Sequence, residues 1–238
     1  YLRPTIRKEE IDLLKEFIEN LPIEEKYKFR LTHCSDFFKN FIERTGRKNI
    51  LQALKITKKR FSFFKWRHSM PFSHIESLIS YGFLTYEQIP PETKIRYWFS
   101  DKEFPRFLTP NRYLARLLGT YLAEGHCRQN KTTRQVSFRV CHPALIDDLV
   151  LLIKTCFGIT PSLEENNTKI TISYSFVHFL FKSVLKSGTN AKNKRIPPFL
   201  YQLSDDLVFE TLSGYIDGDG SIVPERNAIT LYSTNRSL

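Results

Sequence analysis

Two stretches of this chain, "LLGTYLAEG" at 117–125 and "LSGYIDGDG" at 212–220, spell one pattern at an offset of 95 residues. Each reads as an apolar helix that closes on an acid and a glycine. Gly119 and Ala123 stand four apart in the first, and Gly214 and Gly218 stand four apart in the second. Positions i and i+4 share a helix face, so each helix carries a stripe almost without side chains. Glycine inside a helix costs ~1 kcal/mol against alanine, so some contact must offset it. Close approach of two helix backbones along their small-residue stripes does that. The spacing predicts two helices of one chain packed side by side.

The acids sharpen this. Glu124 and Asp219 follow the stripes by one position, at helix C-termini, where the macrodipole disfavours an anion by ~0.3–1 kcal/mol. If the stripes pack together, the two carboxylates also repel. A divalent cation relieves both penalties, and Mg²⁺ is content with a few carboxylate oxygens plus water and phosphate. Carboxylates holding metal over a phosphate backbone suit hydrolytic strand cleavage. One such string alone would be a glycine-capped helix end. Its recurrence, each time before strand-like sequence, marks a repeat.

The elements around the motifs fit an α+β chain of two regions, 1–107 and 108–238. The first reads mainly as helices: "EEIDLLKEFIENL" has helical apolar spacing, and "SDFFKNFIERTG" starts at a Ser35 cap and stops at Gly46. A four-proline segment, "YEQIPPETKIRYWFSDKEFPRFLTP", is expected to be an irregular connector. From Asn111 the order is helix, strand, helix, a hairpin turning at Glu165–Asn167, and helix. A polar loop leads to the second motif helix and the strand "AITLYST".

Charge points to a partner. The 238 residues carry a formal net charge of +11, and nine Lys or Arg between Arg44 and His74 meet no acid. Such segregation suits nucleic acid. Within it, "LQALKITKKRFSFFKWRHS" could form a helix-turn-helix, with a turn at Ile56–Thr57. Lys58, Lys59, Arg60, Lys65 and Arg67 would then face phosphates or guanine edges. The alternative is a solvated basic helix whose Phe61, Phe64 and Trp66 are core. No apolar run approaches a membrane span. Four cysteines without CxxC spacing indicate a reducing, cytoplasmic setting, and His126–Cys127 and Cys141–His142 lack zinc-finger spacing. With Tyr rather than Met first, a segment of a longer polypeptide is expected.

Leu117 to Gly125 and Leu212 to Gly220 resemble the two motifs of LAGLIDADG homing endonucleases. Lys194-Arg195-Ile196-Pro197-Pro198-Phe199 resembles the K-x-I-P-x-F block of the intein-borne (DOD) members, and Ser233 to Leu238 looks like the start of a further intein block. The resemblance covers 108–238. It implies one complete αββαββα half, the start of a second, and in the complete protein a monomeric pseudo-dimer. It carries the catalytic metal-binding acids onto Glu124 and Asp219, with Mg²⁺ or Mn²⁺ as cofactor. It also implies that Lys194 is the basic residue beside the reacting phosphate, and that Asp217 is a supporting residue. Leu122 stands where the first motif would carry its earlier acid, and Glu124 is a variant of the usual Asp. The strands after each motif would face DNA, making Arg128, Lys131, Arg134 and Arg139 candidate contacts, with Lys192 and Arg195 in the loop.

The function so implied is metal-dependent, site-specific hydrolysis of double-stranded DNA at a long recognition site. A non-cleaving DNA-binding regulator or an RNA maturase on the same scaffold is the alternative, and a plain helix-turn-helix module a third. No Cys or Ser opens the chain, no His-Asn closes it, and only 18 residues follow Gly220. A fragment of an archaeal-like intein or of a related endonuclease is therefore expected, unable to splice alone and lacking part of one DNA saddle, which puts its own cutting in doubt.

Overall fold

A computed structural model describes residues 10–61 and 69–233. The chain is α+β, with mixed helices and small antiparallel sheets. It divides into two compact units, one spanning 12–108 and one containing 109–233. Among the described residues no helix is long and apolar enough to cross a membrane.

The first unit opens with α1 (Leu13–Asn20), capped by Asp12, whose carboxylate accepts from the Leu14 N–H at 3.1 Å. The helix α2 (Ile23–Lys26) leads to β1 (Phe29–Thr32), which is buried along its whole length. Next come α3 (Ser35–Thr45), α4 (Arg47–Leu54), β2 (Met70–Pro71), α5 (Phe72–Ser80), β3 (Lys94–Tyr97) and β4 (Glu103–Pro105). The strands form one antiparallel sheet in the order β2-β1-β3-β4. Phe29 is its hub, with ring centroids 5.0 Å from Phe17, 5.7 Å from Phe72 and 5.2 Å from Tyr97.

Helices make up most of the described part of this region, and the sheet corrects the expectation of an irregular connector after them: β3 and β4 lie in that segment. The prolines misled because they bracket the strands rather than interrupt them. Pro90 and Pro91 precede β3, and Pro105 ends β4. Between them Ile95 and Tyr97 alternate inward at 0% and 8% exposure, the period-two signature of a half-buried strand. Ser35 is also not the cap of α3; it is the first helical residue, and Cys34 precedes it. Helix α4 ends at Lys55 in the left-handed conformation, and helical backbone resumes at Lys58. Lys58, Lys59 and Arg60 are exposed there, whereas Lys65 and Arg67 lie outside the described residues. The helix-turn-helix reading therefore stays a proposal.

The second unit runs α6 (Arg112–Glu124), β5 (Gly125–Gln129), β6 (Arg134–Arg139), α7 (Pro143–Phe157), β7 (Ser162–Glu164), β8 (Lys169–Ile172) and α8 (Ser175–Phe179). Asn111 caps α6, accepting from the N–H groups of Tyr113 and Leu114 at 3.1 and 3.0 Å. Pro143 occupies the first turn of α7, and Gly158 ends it. The β7–β8 turn places Glu165, Asn166 and Asn167 at positive φ. The four strands pair antiparallel in the order β5-β6-β8-β7. Beyond a π-helical turn at Leu180–Val184 and a loop, α9 (Asp205–Asp219) leads into the hairpin β9 (Gly220–Val223) and β10 (Ala228–Leu231). The core gathers on α6, where Leu117, Leu118 and Tyr121 are fully buried. The Tyr121 ring lies 6.1 Å from Phe138 of β6 and 4.4 Å from Phe181.

Candidate active site at the crossing of two helices

Helices α6 and α9 touch backbone to backbone. A methyl group added at Gly119 would overlap the carbonyl oxygen of Thr211 and sit 2.8 Å from the Tyr215 nitrogen. One added at Gly214 would overlap the carbonyl of Arg116 and sit 3.0 Å from the Thr120 nitrogen. These contacts obey the offset of the sequence repeat: each glycine meets the residues three before and one after its counterpart. The crossing is therefore a self-complementary contact within one chain, of the kind two-fold symmetry makes between subunits.

This packing delivers the acids. Glu124 and Asp219 end their helices side by side, close enough for mutual repulsion to count. A methyl at Gly218 would lie 3.0 Å from Cγ of Glu124 and 3.7 Å from its Oε1. Burial raises the Glu124 carboxyl above its ordinary value, Asp219 raises it further, and Lys194 opposes both. Burial likewise raises Asp219, against the Lys194 ammonium. Beside them, Arg116 holds Asp217 at 2.6 Å and Asp148 of α7 at 3.2 Å. Asp217 thus braces the helix pair. A pocket of about 430 Å³ opens here, lined in part by Thr120, Glu124, Arg139, Asp148 and Asp217.

Lys194 reaches this place from the loop before α9. It is 4% exposed, and its Nζ donates to the Ala123 carbonyl at 2.6 Å. Burial pushes its ammonium down to about 8, although Asp219 and Glu124 favour the charged form. In the metal-free protein the Lys194 amine is expected to titrate near pH 8, measured by NMR of carbon-labelled lysine; a midpoint at the ordinary 10.5 would contradict the burial. Because the folded value lies below the unfolded one, this lysine's contribution to stability is complete above 10.5. It is lost as pH falls from there through about 8. Urea unfolding across that window reads the loss, at most about 3 kcal/mol.

The sheet sorts the other basic candidates. Arg128 pairs with Gln135, His126 with Ser137, and Arg139 with Lys169. Alternation therefore puts His126, Arg128, Gln135, Arg139 and Lys169 on one face. Arg134 belongs to the opposite face, with Val136 and Phe138, and its guanidinium stands 5.7 Å from the Phe179 ring centre. It does not share a surface with Arg128 and Arg139, as the sequence had suggested. Lys131 is exposed in the β5–β6 turn, and Lys192 and Arg195 are exposed in the loop. His126, Gln135 and Lys169 were missed. Strand alternation held the signal, but only the register assigns the face. The field on that face is positive: after burial, Lys169, Lys194, Arg139 and Arg128 all lower the His126 pKa.

Chemically, the arrangement presents two carboxylates and one ammonium. Among the described residues no three His, Cys, Asp or Glu side chains converge into a metal cage. Glu124 and Asp219 would be the two acids to hold a divalent cation here, with water or substrate oxygens completing its coordination. That donor set fits Mg²⁺, which keeps several waters, better than a closed zinc site.

No protein-family model matches the chain. It is similar to the DNA polymerase II large subunit of Thermococcus kodakarensis, 31% identical over 175 residues, which are 72% of this chain and 10% of that protein. A DNA polymerase of the same organism is 29% identical over 118 residues, 48% of this chain and 7% of the polymerase. The glutamine–fructose-6-phosphate aminotransferase of Methanocaldococcus jannaschii is 23% identical over 166 residues, 68% of this chain and 15% of the enzyme. In each case the similarity spans only a small part of the relative's length.

Proposed function

We propose that this chain is a piece of an intein-borne homing endonuclease of the LAGLIDADG type, and that it hydrolyses double-stranded DNA at a long, specific site with Mg²⁺ or Mn²⁺. The observation that carries this reading is the glycine-lined crossing of α6 and α9, which sets Glu124 and Asp219 side by side in a mutually repelling, half-buried pair. Support for an inserted element comes from the relatives. DNA polymerases and an aminotransferase share no chemistry, yet a short part of each resembles this chain. A mobile segment carried by unrelated hosts accounts for that.

In this reading Glu124 and Asp219 supply carboxylate oxygens to the cation, which when bound would offset their repulsion and stabilise charge on the phosphate. Lys194, tethered to the Ala123 carbonyl, brings a positive charge to the same spot and orients the reacting phosphate or the attacking water. Arg128 and Arg139, with His126, Gln135 and Lys169, form the strand face that meets DNA in the groove. Lys58, Lys59, Arg60, Lys65, Arg67, Lys131, Lys192 and Arg195 add sequence-independent phosphate contacts. The element order αββαββα over 112–179 supports this reading.

The test is cleavage of supercoiled plasmid bearing an uninterrupted host-gene segment. Linear product is expected with Mg²⁺ or Mn²⁺ and none with chelator. Site-specific binding of the longest form of the protein, with no strand ever cut in either metal, overturns catalysis in favour of a regulator.

A further inference from the structure

The loop that carries Lys194 is held far more tightly than its polar sequence, "KSGTNAKNKR", implies. Two bonds tie it to the core of the second unit: Tyr121 donates its hydroxyl to the Gly188 carbonyl at 2.7 Å, and the Cys127 N–H donates to the Thr189 carbonyl at 2.8 Å. Within the loop, the side chain of Asn193 takes the place of a missing secondary-structure ladder. Its Oδ1 accepts from the N–H groups of Thr189 at 2.7 Å and Asn190 at 3.0 Å, and its Nδ2 donates to the Thr189 hydroxyl at 3.0 Å. The N–H groups of Asn193 and Lys194 both donate to the Asn190 carbonyl at 3.0 Å, and that of Arg195 donates to the Ser187 carbonyl at 3.2 Å. Gly188 has φ +82°, and a methyl there would overlap the Asn193 carbonyl and lie 2.6 Å from Cα of Lys194. The two strands of the loop therefore lie directly against each other, with Lys194 at the contact.

We propose that Asn193 is a positioning residue for Lys194: its carboxamide closes the 187–195 loop so that the lysine enters the site buried and aimed at the Ala123 carbonyl. The inference rests on the proposed role of Lys194 and adds how that role is supported. Solvation gives the reason. A buried ammonium on an open, mobile loop would swing into water, where its hydration is stronger. Only a loop fixed by several bonds holds it in place. Asn193 itself is exposed, so its amide contributes little to the core.

The experiment uses the full chain without metal, with Asn193→Ala and Asn193→Asp, and reads reductive methylation of each lysine by peptide mass mapping. Lys192, exposed in the same loop, is the internal control. Asn193→Ala is expected to raise Lys194 labelling about tenfold relative to Lys192, the worth of one or two net hydrogen bonds. Asn193→Asp, which keeps the accepting oxygen, is expected to restore protection, with the melting temperature lowered by only a few degrees in Asn193→Ala and less in Asn193→Asp. Lys194 as protected in Asn193→Ala as in the native chain overturns the proposal. Plasmid cleavage then separates the two readings. A fall in kcat at unchanged KM supports both. Exposed Lys194 with native cleavage leaves the positioning intact and removes Lys194 from the chemistry.

Discussion

Asp219→Asn is expected to abolish metal-dependent strand cleavage while making the metal-free protein harder to melt. The substitution keeps shape and removes charge. Glu124 is lifted by burial and by the Asp219 charge, and Asp219 is lifted by burial. A carboxyl whose folded pKa is raised stabilises the fold fully only below its unfolded value, and that contribution is lost as pH rises through the folded one. Wherever both groups are ionised, the native pair stands at a disadvantage that a neutral carboxamide at this position would relieve. The gain in melting temperature should shrink as pH drops into the carboxylate range, where the native pair takes up protons itself. Cleavage moves the other way. A group aimed at developing charge is worth about 10²–10³-fold in rate, and loss of a cation ligand adds to this. Glu124→Gln should behave alike. Calorimetric titration with Mg²⁺ and a thermal melt without it check both halves. A variant that binds Mg²⁺ and cuts as the native chain does removes the acid pair from the chemistry.

Gly119→Ala is expected to break the helix crossing, although by helix propensity alone it should help. Alanine gains ~1 kcal/mol over glycine in a helix interior. Against this stands a methyl group driven into the Thr211 carbonyl, with the Tyr215 nitrogen 2.8 Å away. Backbone of a neighbouring helix cannot swing aside as a flexible side chain can, so the overpacking cost falls at the upper end of its usual range, ~3 kcal/mol or more. Overpacking wins. Melting of the second unit should fall by roughly 5–10 °C, and cleavage should be lost, because separating the helices separates Glu124 from Asp219. Gly214→Ala should do the same through the Arg116 carbonyl. The double variant should cost less than the sum, since the first methyl already opens the shared contact. A neutral or stabilising Gly119→Ala would mean that the two backbones do not touch.

Much of this was legible in the chain. Small residues four apart, each followed by an acid, determined that α6 and α9 pack by their stripes and that Glu124 and Asp219 end together. That information is local and periodic, so it survives without coordinates. The Glu165–Asn167 hairpin is of the same kind. The strands β3 and β4 escaped because prolines at their edges look like prolines within them, until pairing shows which N–H groups the sheet uses. Arg134 looked equivalent to Arg128 and Arg139, since a turn of unknown length between strands hides which face each side chain takes. Asn193 was silent for a further reason. Its bonds close a loop whose shape is set by Tyr121 and Cys127, some 60 to 70 residues away in sequence. Sequence alone thus settled which helices meet and which acids they carry, because a helix repeats its face every few residues. Only the tertiary structure decided which strand face carries the cations and how Lys194 is held, because register and loop closure depend on contacts between distant residues.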